Sequence, residues 1–266
     1  MKVLIVGAGN MGKTYARSFL ASRFIQASDL YVLERSVGSV TSIKEIPQGN
    51  IHPQAGEFIS QADIIILSVK PQDFPVAGKQ IAPYVQRGQL ILSIMAGIKI
   101  SSIYEAISAT KIVRAMPNLP AQIGMGMTVF TSSADIDKKE LFIMQNLINT
   151  TGKSVYVEDE NKIDAATAIS GSGPAYVYYF MEAMIQAGVK MGFSLSQAEL
   201  LVNQTFMGAV HLHNQSDLTC GEWIARVASK GGTTEAALKI LEENTVEPNI
   251  ESALFAAFNR AKELGN

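Results

Sequence analysis

The sequence predicts an α/β fold in two parts: a doubly wound parallel sheet over residues 1–160, then an all-α domain over residues 161–266. Three observations predict it. Short β-branched runs alternate with amphipathic stretches through the first 160 residues. The alternation stops after Glu158-Asp159-Glu160, beyond which only helical patterns recur. The first run also ends in a glycine-rich turn that opens a helix.

Val3–Val6, Leu30–Leu33, Ile64–Val69, Leu90–Ile94 and Ile112–Arg114 each read as a buried strand bounded by Gly, Pro, Asp or Ser. Helical segments between most of them call for right-handed crossovers and a parallel sheet covered on both faces. Two later strands, near Met127–Thr131 and Ser154–Val157, flank a helix of about fifteen residues after Ser133 and extend the sheet. Beyond residue 160, Pro174 takes a first-turn position and opens a helix through about Met191. Its apolar residues, among them Tyr176, Val177, Phe180, Met181 and Met184, cover more than one face. Such a helix needs burial on several sides, and in a domain of this size that points to another subunit. Ser194 with Gln197, and Thr219 with Glu222, have capping-box spacing and start two more helices. Asn249 after Pro248 is expected to cap the last.

Composition bounds the function. The chain has 266 residues, is 47% hydrophobic and 17% charged, and carries a net charge of −2 without a run of Lys or Arg. A surface like that lacks the electrostatic footprint for nucleic acid or an anionic membrane. One cysteine, Cys220, cannot form an internal disulfide. Neither a signal peptide nor an apolar stretch of about 20 residues is evident. The expected location is the cytoplasm.

Gly7-Ala8-Gly9-Asn10-Met11-Gly12 is a G-x-G-x-x-G placed directly after a strand and ahead of a helix. Its first glycine permits the tight turn and its second lets the backbone approach a pyrophosphate. The third lets helix and strand pack closely, while the helix N-terminus supplies N–H groups and a positive dipole end. That makes the sheet Rossmann-type and the ligand NAD or NADP, with Val6 also against it. Glu34 lies 22 residues past Gly12, where an acid holds the ribose 2′-hydroxyl of NAD. Arg35 and Ser36 follow, and a cation with a hydroxyl suits the 2′-phosphate of NADP. A carboxylate beside a 2′-phosphate is repulsive unless it turns away, so the cofactor choice stays open, leaning to NADP. Ser68-Val69-Lys70-Pro71, Ala96-Gly97 and Met116-Pro117-Asn118 end later strands, and these loops should converge on the nicotinamide and its ribose.

Ser229-Lys230-Gly231-Gly232-Thr233-Thr234 leads into a helix expected over Glu235–Asn244. Two glycines and hydroxyls at a helix start make either an anion site, best suited to a small carboxylate, or a plain Gly-Gly turn with a Thr N-cap. The three histidines and one cysteine are scattered, which argues against zinc, and no Gly-x-Ser-x-Gly elbow is present. Hydride chemistry fits so sparse a set, because a cofactor carries the difficult step.

Five stretches in this order resemble the pyrroline-5-carboxylate reductases: Gly7–Gly12, Ser68–Pro71, Met116-Pro117-Asn118-Leu119-Pro120, Ser170-Gly171-Ser172-Gly173-Pro174-Ala175-Tyr176 and Ser229–Thr234. The resemblance runs from about residue 1 to residue 263, and the last two motifs are its specific ones. It implies reduction of 1-pyrroline-5-carboxylate to L-proline by NAD(P)H, the last step of proline synthesis. It also implies a C-terminal dimerisation domain, a homodimer or an assembly of dimers, and an active site joining one subunit's dinucleotide domain to helices of its partner. Carried over by position, Ser229, Gly231, Gly232 and Thr233 grip the substrate carboxylate, and Thr234 is the catalytic residue, hydrogen-bonding the imine nitrogen.

The chain departs from the family pattern in places. Lys230 stands where Pro is usual, Arg226 where Asn or Thr is frequent, and Glu34 where Asn or Ser is commoner. Thr219–Ile224 departs from the usual Pro-rich pattern. Two alternatives follow: a related dehydrogenase or imine reductase acting on another small carboxylate, and an inactive NAD(P)-binding regulatory paralogue. Retained Ser229, Thr233 and Thr234 speak against the second.

Overall fold

The structure, a computed structural model, describes residues 1–35 and 43–264; the Ser36 expectation lies outside them. Two compact units divide the chain: Met1–Pro174 with the chain from Ala257 onward, and Ala175–Ala256.

In the first unit β1 (Val3–Val6), α1 (Asn10–Ala21), β2 (Leu30–Leu33), β3 (Ile51–His52), β4 (Ile64–Leu67), α2 (Phe74–Ile81), β5 (Leu90–Ser93), α3 (Ile100–Ile107) and β6 (Ile112–Met116) follow one another. Then come β7 (Gly126–Ser132), α4 (Lys138–Asn149) and β8 (Gly152–Tyr156). The eight strands form one sheet in the order β3-β2-β1-β4-β5-β6-β7-β8. β1 pairs in parallel with both β2 and β4, so the order reverses at β1. A ligand crevice is therefore placed outside the carboxyl ends of β1 and β4.

Successive side chains of a strand point to opposite faces, and the core divides accordingly. Val3, Ile5, Ile64, Ile66 and Val113 pack with Tyr15 and Phe19 of α1 and Met144 and Leu147 of α4. Leu4, Val6, Ile65, Leu67 and Ile91 pack with Phe74 and Ile81 of α2 and Ile103 of α3. Burial on both faces is why these strands read as continuous apolar runs rather than alternating ones.

Several elements differ from the sequence expectation. β7 runs antiparallel to β6, because only a short connection containing the 3₁₀ turn Leu119–Ile123 joins them, and a parallel return needs a longer crossover. α4 starts four residues later than expected, at a complete capping box between Asp137 and Glu140. β3 has two residues, too few to leave a pattern.

α5 (Asn161–Ala166) leads into a π-helical turn over Thr167–Gly171. Arg114 on β6 is 1% exposed and reaches α5, with Nη2 2.7 Å from Asp164 Oδ1 and Nη1 3.0 Å from Glu160 Oε1. Glu160 also accepts the N–H of Ile100, the first residue of α3, at 2.9 Å. This buried cluster ties three elements together, and strand patterning gave no sign of it.

The helices beyond are α6 (Gly173–Lys190), α7 (Leu195–Asn214), α8 (Cys220–Val227), α9 (Thr233–Glu243) and α10 (Val246–Leu264). Among the described residues no strand follows β8. Both expected capping boxes form, Ser194 with Gln197 and Thr219 with Glu222. Asn249 does not cap the last helix. α10 begins at Val246, since Pro248 falls in a first turn whose N–H groups need no intrahelical partner. Asn249 instead donates its own N–H to Thr245 inside that helix.

The second unit has little core of its own. Ile185, Ala198 and Val202 form its buried cluster, with Met181 and Phe206 partly buried against them. Among the described residues no helix is long and apolar enough to cross a membrane.

Candidate functional site

The glycine turn occupies the crevice at the carboxyl ends of β1 and β4. Gly7 follows Val6 with φ +94°, a left-handed conformation that side chains disfavour. A Cβ on it would lie 2.8 Å from Val69 Cγ1 and 2.9 Å from the Val69 nitrogen. Gly12 is closed differently. A Cβ there would lie 2.2 Å from the Gly7 carbonyl oxygen and 2.7 Å from Ser68 Oγ. Nothing lies within 4 Å of a Cβ built on Gly9. Two glycines are thus required by the protein's own packing, while the middle one faces open space, as a backbone that receives a pyrophosphate must.

Hydrogen bonds fix the turn. Gly7 N–H donates to Leu33 C=O at 2.9 Å and Ser68 N–H to Val6 C=O at 2.9 Å. The Ser68 hydroxyl donates to the Gly7 carbonyl. α1 starts at Asn10 and Met11 behind Gly9 with no side-chain cap, so its first N–H groups remain for an anion. These features fit a dinucleotide phosphate.

Glu34 follows β2 and is held from both ends. Its N–H donates to His52 C=O at 2.9 Å, and its Oε2 accepts the Ala8 N–H at 2.7 Å. The carboxylate has not turned away from the glycine turn. Arg35 is exposed, and its Nη2 lies 3.8 Å from Asp73 Oδ1.

The remaining predicted cofactor residues end neighbouring strands. Ser68 and Val69 follow β4 against the glycine turn, and exposed Lys70 precedes the 3₁₀ turn Pro71–Asp73. Ala96 follows β5, next to Gly97 at φ +76°. Asn118 has a structural task that sequence reading did not reveal. Its Oδ1 accepts the Met127 N–H at 2.8 Å, and its Nδ2 donates to Ser170 C=O at 3.0 Å. It pins the reversal between β6 and β7 to the π-helical turn.

In the second unit, Ser229–Gly232 turns through Gly231 at φ +72°, and Gly232 donates to Ser229 C=O at 2.9 Å. A Cβ on Gly232 would meet Ser229 Oγ at 2.6 Å. Gly232, not a threonine, is the N-cap of α9, and no side-chain cap is present. Thr233 and Thr234 form its first turn, two residues earlier than the expected start at Glu235. The Gly231 N–H donates to Glu235 Oε2 at 2.6 Å, so this turn already receives a carboxylate. Arg226 lies over the ring of Trp223, with Cζ 5.4 Å from the centroid. Among the described residues no cluster of three or more His, Cys, Asp or Glu is disposed to hold a metal.

A glycine cradle at the switch point of a doubly wound sheet defines a dinucleotide-binding α/β protein. Residues 2–97 match the family model described as NADP oxidoreductase, coenzyme F420-dependent. Residues 160–264 match the model described as pyrroline-5-carboxylate reductase dimerisation. The pyrroline-5-carboxylate reductase of Pseudomonas aeruginosa is 35% identical, with 99% of this chain and 96% of that protein covered. Pyrroline-5-carboxylate reductase 2 of Bacillus subtilis is 34% identical, with 99% and 95% covered. The crystal structure of Plasmodium falciparum pyrroline carboxylate reductase with NADP bound superposes with a TM-score of 0.89 at 30% identity, covering 100% of this chain and 98% of that one. The chain belongs to the pyrroline-5-carboxylate reductase family.

Proposed function

We propose that the protein reduces 1-pyrroline-5-carboxylate to L-proline, using NADPH or NADH, as the last step of proline synthesis. The observation that carries the substrate assignment is the Ser229–Thr234 turn. In a chain of this family, its left-handed Gly231 and uncapped helix start form an anion nest that already receives the carboxylate of Glu235.

The bound dinucleotide supplies the hydride for the imine carbon. Val6, the Gly7–Gly12 turn, Glu34, Arg35 and Ser36 hold its adenosine and pyrophosphate. Ser68, Val69, Lys70, Pro71, Ala96 and Asn118 shape the floor for the nicotinamide half. The turn through Gly231 and Gly232 presents the Thr233 N–H and the Ser229 hydroxyl to the substrate carboxylate, and the Gly231 N–H joins them when the Glu235 carboxylate gives way. Thr234 hydrogen-bonds the ring nitrogen and either positions it, when the imine binds protonated, or relays a proton to it from water. A protonated imine is already electrophilic, so orientation supplies most of the acceleration and a strong acid is not needed.

Residues 1–160 serve as the cofactor domain and residues 161–266 as the dimerisation and substrate domain. The enzyme works in the cytoplasm as a homodimer or an assembly of dimers, with no nucleic-acid or membrane partner.

Mixing the protein with pyrroline-5-carboxylate and either reduced cofactor, and following the loss of cofactor absorbance, tests the activity. No turnover with either one removes the proposal. Thr234→Ala should lower kcat at least about tenfold, or ~1.4 kcal/mol of barrier, with cofactor Kd unchanged. An unchanged kcat would release Thr234 from its role.

A further inference from the structure

We propose that Asn118 is a positioning residue for hydride transfer: it locks the chain leaving β6, which shapes the nicotinamide floor, to the π-helical turn ahead of α6. The inference rests on the dinucleotide reading of the crevice and gives Asn118 a task that needs no contact with the ligand. β6 and its extended continuation present Arg114, Met116 and Asn118 to one face of the sheet. All three meet the segment 160–171. Arg114 pairs with Glu160 and Asp164. Met116 lies against Gly171, where a Cβ would come 2.7 Å from Met116 Cε. Asn118 donates from Nδ2 to the Ser170 C=O at 3.0 Å.

The sequence explains why that carbonyl lacks a helical partner. In an α-helix a C=O accepts from the N–H four residues on, and for Ser170 that residue is Pro174, which has none. The ladder is also shifted just before it, where Ser172 N–H donates to Thr167 C=O, five residues back, at 2.8 Å. A carbonyl withdrawn from water without a donor costs free energy. Asn118 supplies that donor from the sheet.

The other end of the same amide accepts the Met127 N–H of β7 at 2.8 Å. One side chain therefore fixes where the chain leaves β6 relative to both β7 and the helical turn. The stretches Met116–Pro120 and Ser170–Tyr176, whose contact spans 52 positions, act as one device. Hydride transfer is sensitive to such a device, since a misplacement of about 1 Å can cost about a hundredfold in rate. The pyrophosphate grip at Gly7–Gly12 is left intact when it fails.

The test uses Asn118→Asp, which keeps an acceptor for Met127 but lays a second acceptor against the Ser170 C=O, and Asn118→Ser, which drops both bonds without adding charge. Titration with NADPH and NADH gives Kd and the fluorescence lifetime of the bound nicotinamide, and hydrogen exchange reads residues 119–127. In both variants kcat with pyrroline-5-carboxylate should fall at least tenfold, while nucleotide Kd stays within threefold and the lifetime shifts. Exchange over 119–127 should quicken at least tenfold, with α1 unchanged. Pro174→Ala gives Ser170 a helical N–H and should restore at least threefold of the rate lost in Asn118→Asp. Exchange unchanged, or kcat within threefold of wild type, overturns the proposal. So does a Kd that rises in step with the lost kcat, which would make Asn118 a ligand contact. Strictly additive effects of the Asn118 and Pro174 changes overturn the link through Ser170, and unfolding of both Asn118 variants leaves the residue only a structural task. A wild type that binds neither nucleotide would instead strike the dinucleotide reading. One that binds without turning over would strike the substrate assignment and leave exchange and lifetime to decide.

Discussion

The two units of this chain solve burial differently. The sheet unit closes on itself: its strands are apolar on both faces, and α1 and α4 cover one side while α2 and α3 cover the other. The helical unit leaves large apolar side chains in the open, among them Tyr179 at 74% exposure, Leu200 at 69% and Met207 at 56%. Its own cluster, three buried residues, is far too small to hold about eighty residues in place. So little core and so much open apolar surface fit the dimerisation family that residues 160–264 match. The glycine turn after β1 thus sits on a scaffold with a large core, and the Ser229–Thr234 turn on one with little core of its own.

The largest expected effect would break this contrast outright. Leu200 and Met207 lie seven residues apart on α7, hence on one face. The double change Leu200→Asp, Met207→Asp should raise the dimer Kd at least about a hundredfold, ~2.7 kcal/mol, as read by sedimentation. Phe142→Glu on α4 of the sheet unit, a position equally open at 64%, should stay within about 0.5 kcal/mol of wild type. Equal effects from the two changes would erase the distinction drawn between the units.

Next in size is the charge cluster that locks α5 to the sheet. Asp164→Ala leaves the Arg114 guanidinium, 1% exposed, without its 2.7 Å partner. The loss should be about 3–5 kcal/mol in chemical denaturation, confined to the transition of the sheet unit. A loss below about 1 kcal/mol would show the cluster to be solvated and the junction loose.

The smallest effect is a pH dependence. His52 stacks on Phe58 with ring centroids 3.7 Å apart, and its Nε2 is buried without a partner. Burial lowers its pKa below the ordinary 6.5, disfavouring the imidazolium. The folded state therefore keeps this advantage above pH 6.5 and loses it as pH falls through the lowered folded-state value. The melting temperature should drop from about pH 7 to about pH 5, and His52→Phe should flatten the slope. Because Glu34 donates its N–H to His52 C=O, cofactor binding is a second readout. A parallel slope in the variant would assign the titration elsewhere.

Legibility followed the range of the interaction. The five parallel strands of the first half, the glycine turn and the capping boxes at Ser194 and Thr219 are local patterns, and each formed where its residues stand. The reversal into β7 was invisible because a strand looks the same run either way; Asn118 fixes it through partners nine and 52 residues distant. α10 began before its expected cap because proline is tolerated throughout a first turn, so Pro248 marks a helix start only to within a few residues. Arg114 read as the polar end of a strand until Asp164, 50 residues later, gave it a reason to be buried.

By itself the sequence determined the doubly wound sheet, the helical second half and the two glycine turns, because periodicity, capping and left-handed backbone are properties of neighbouring residues. Only the tertiary structure decided where charges face one another. It brought Glu34 to the Ala8 N–H across 26 positions and drew Arg35 towards Asp73. Electrostatic preference depends on distance in space, and no spacing along the chain could have supplied it.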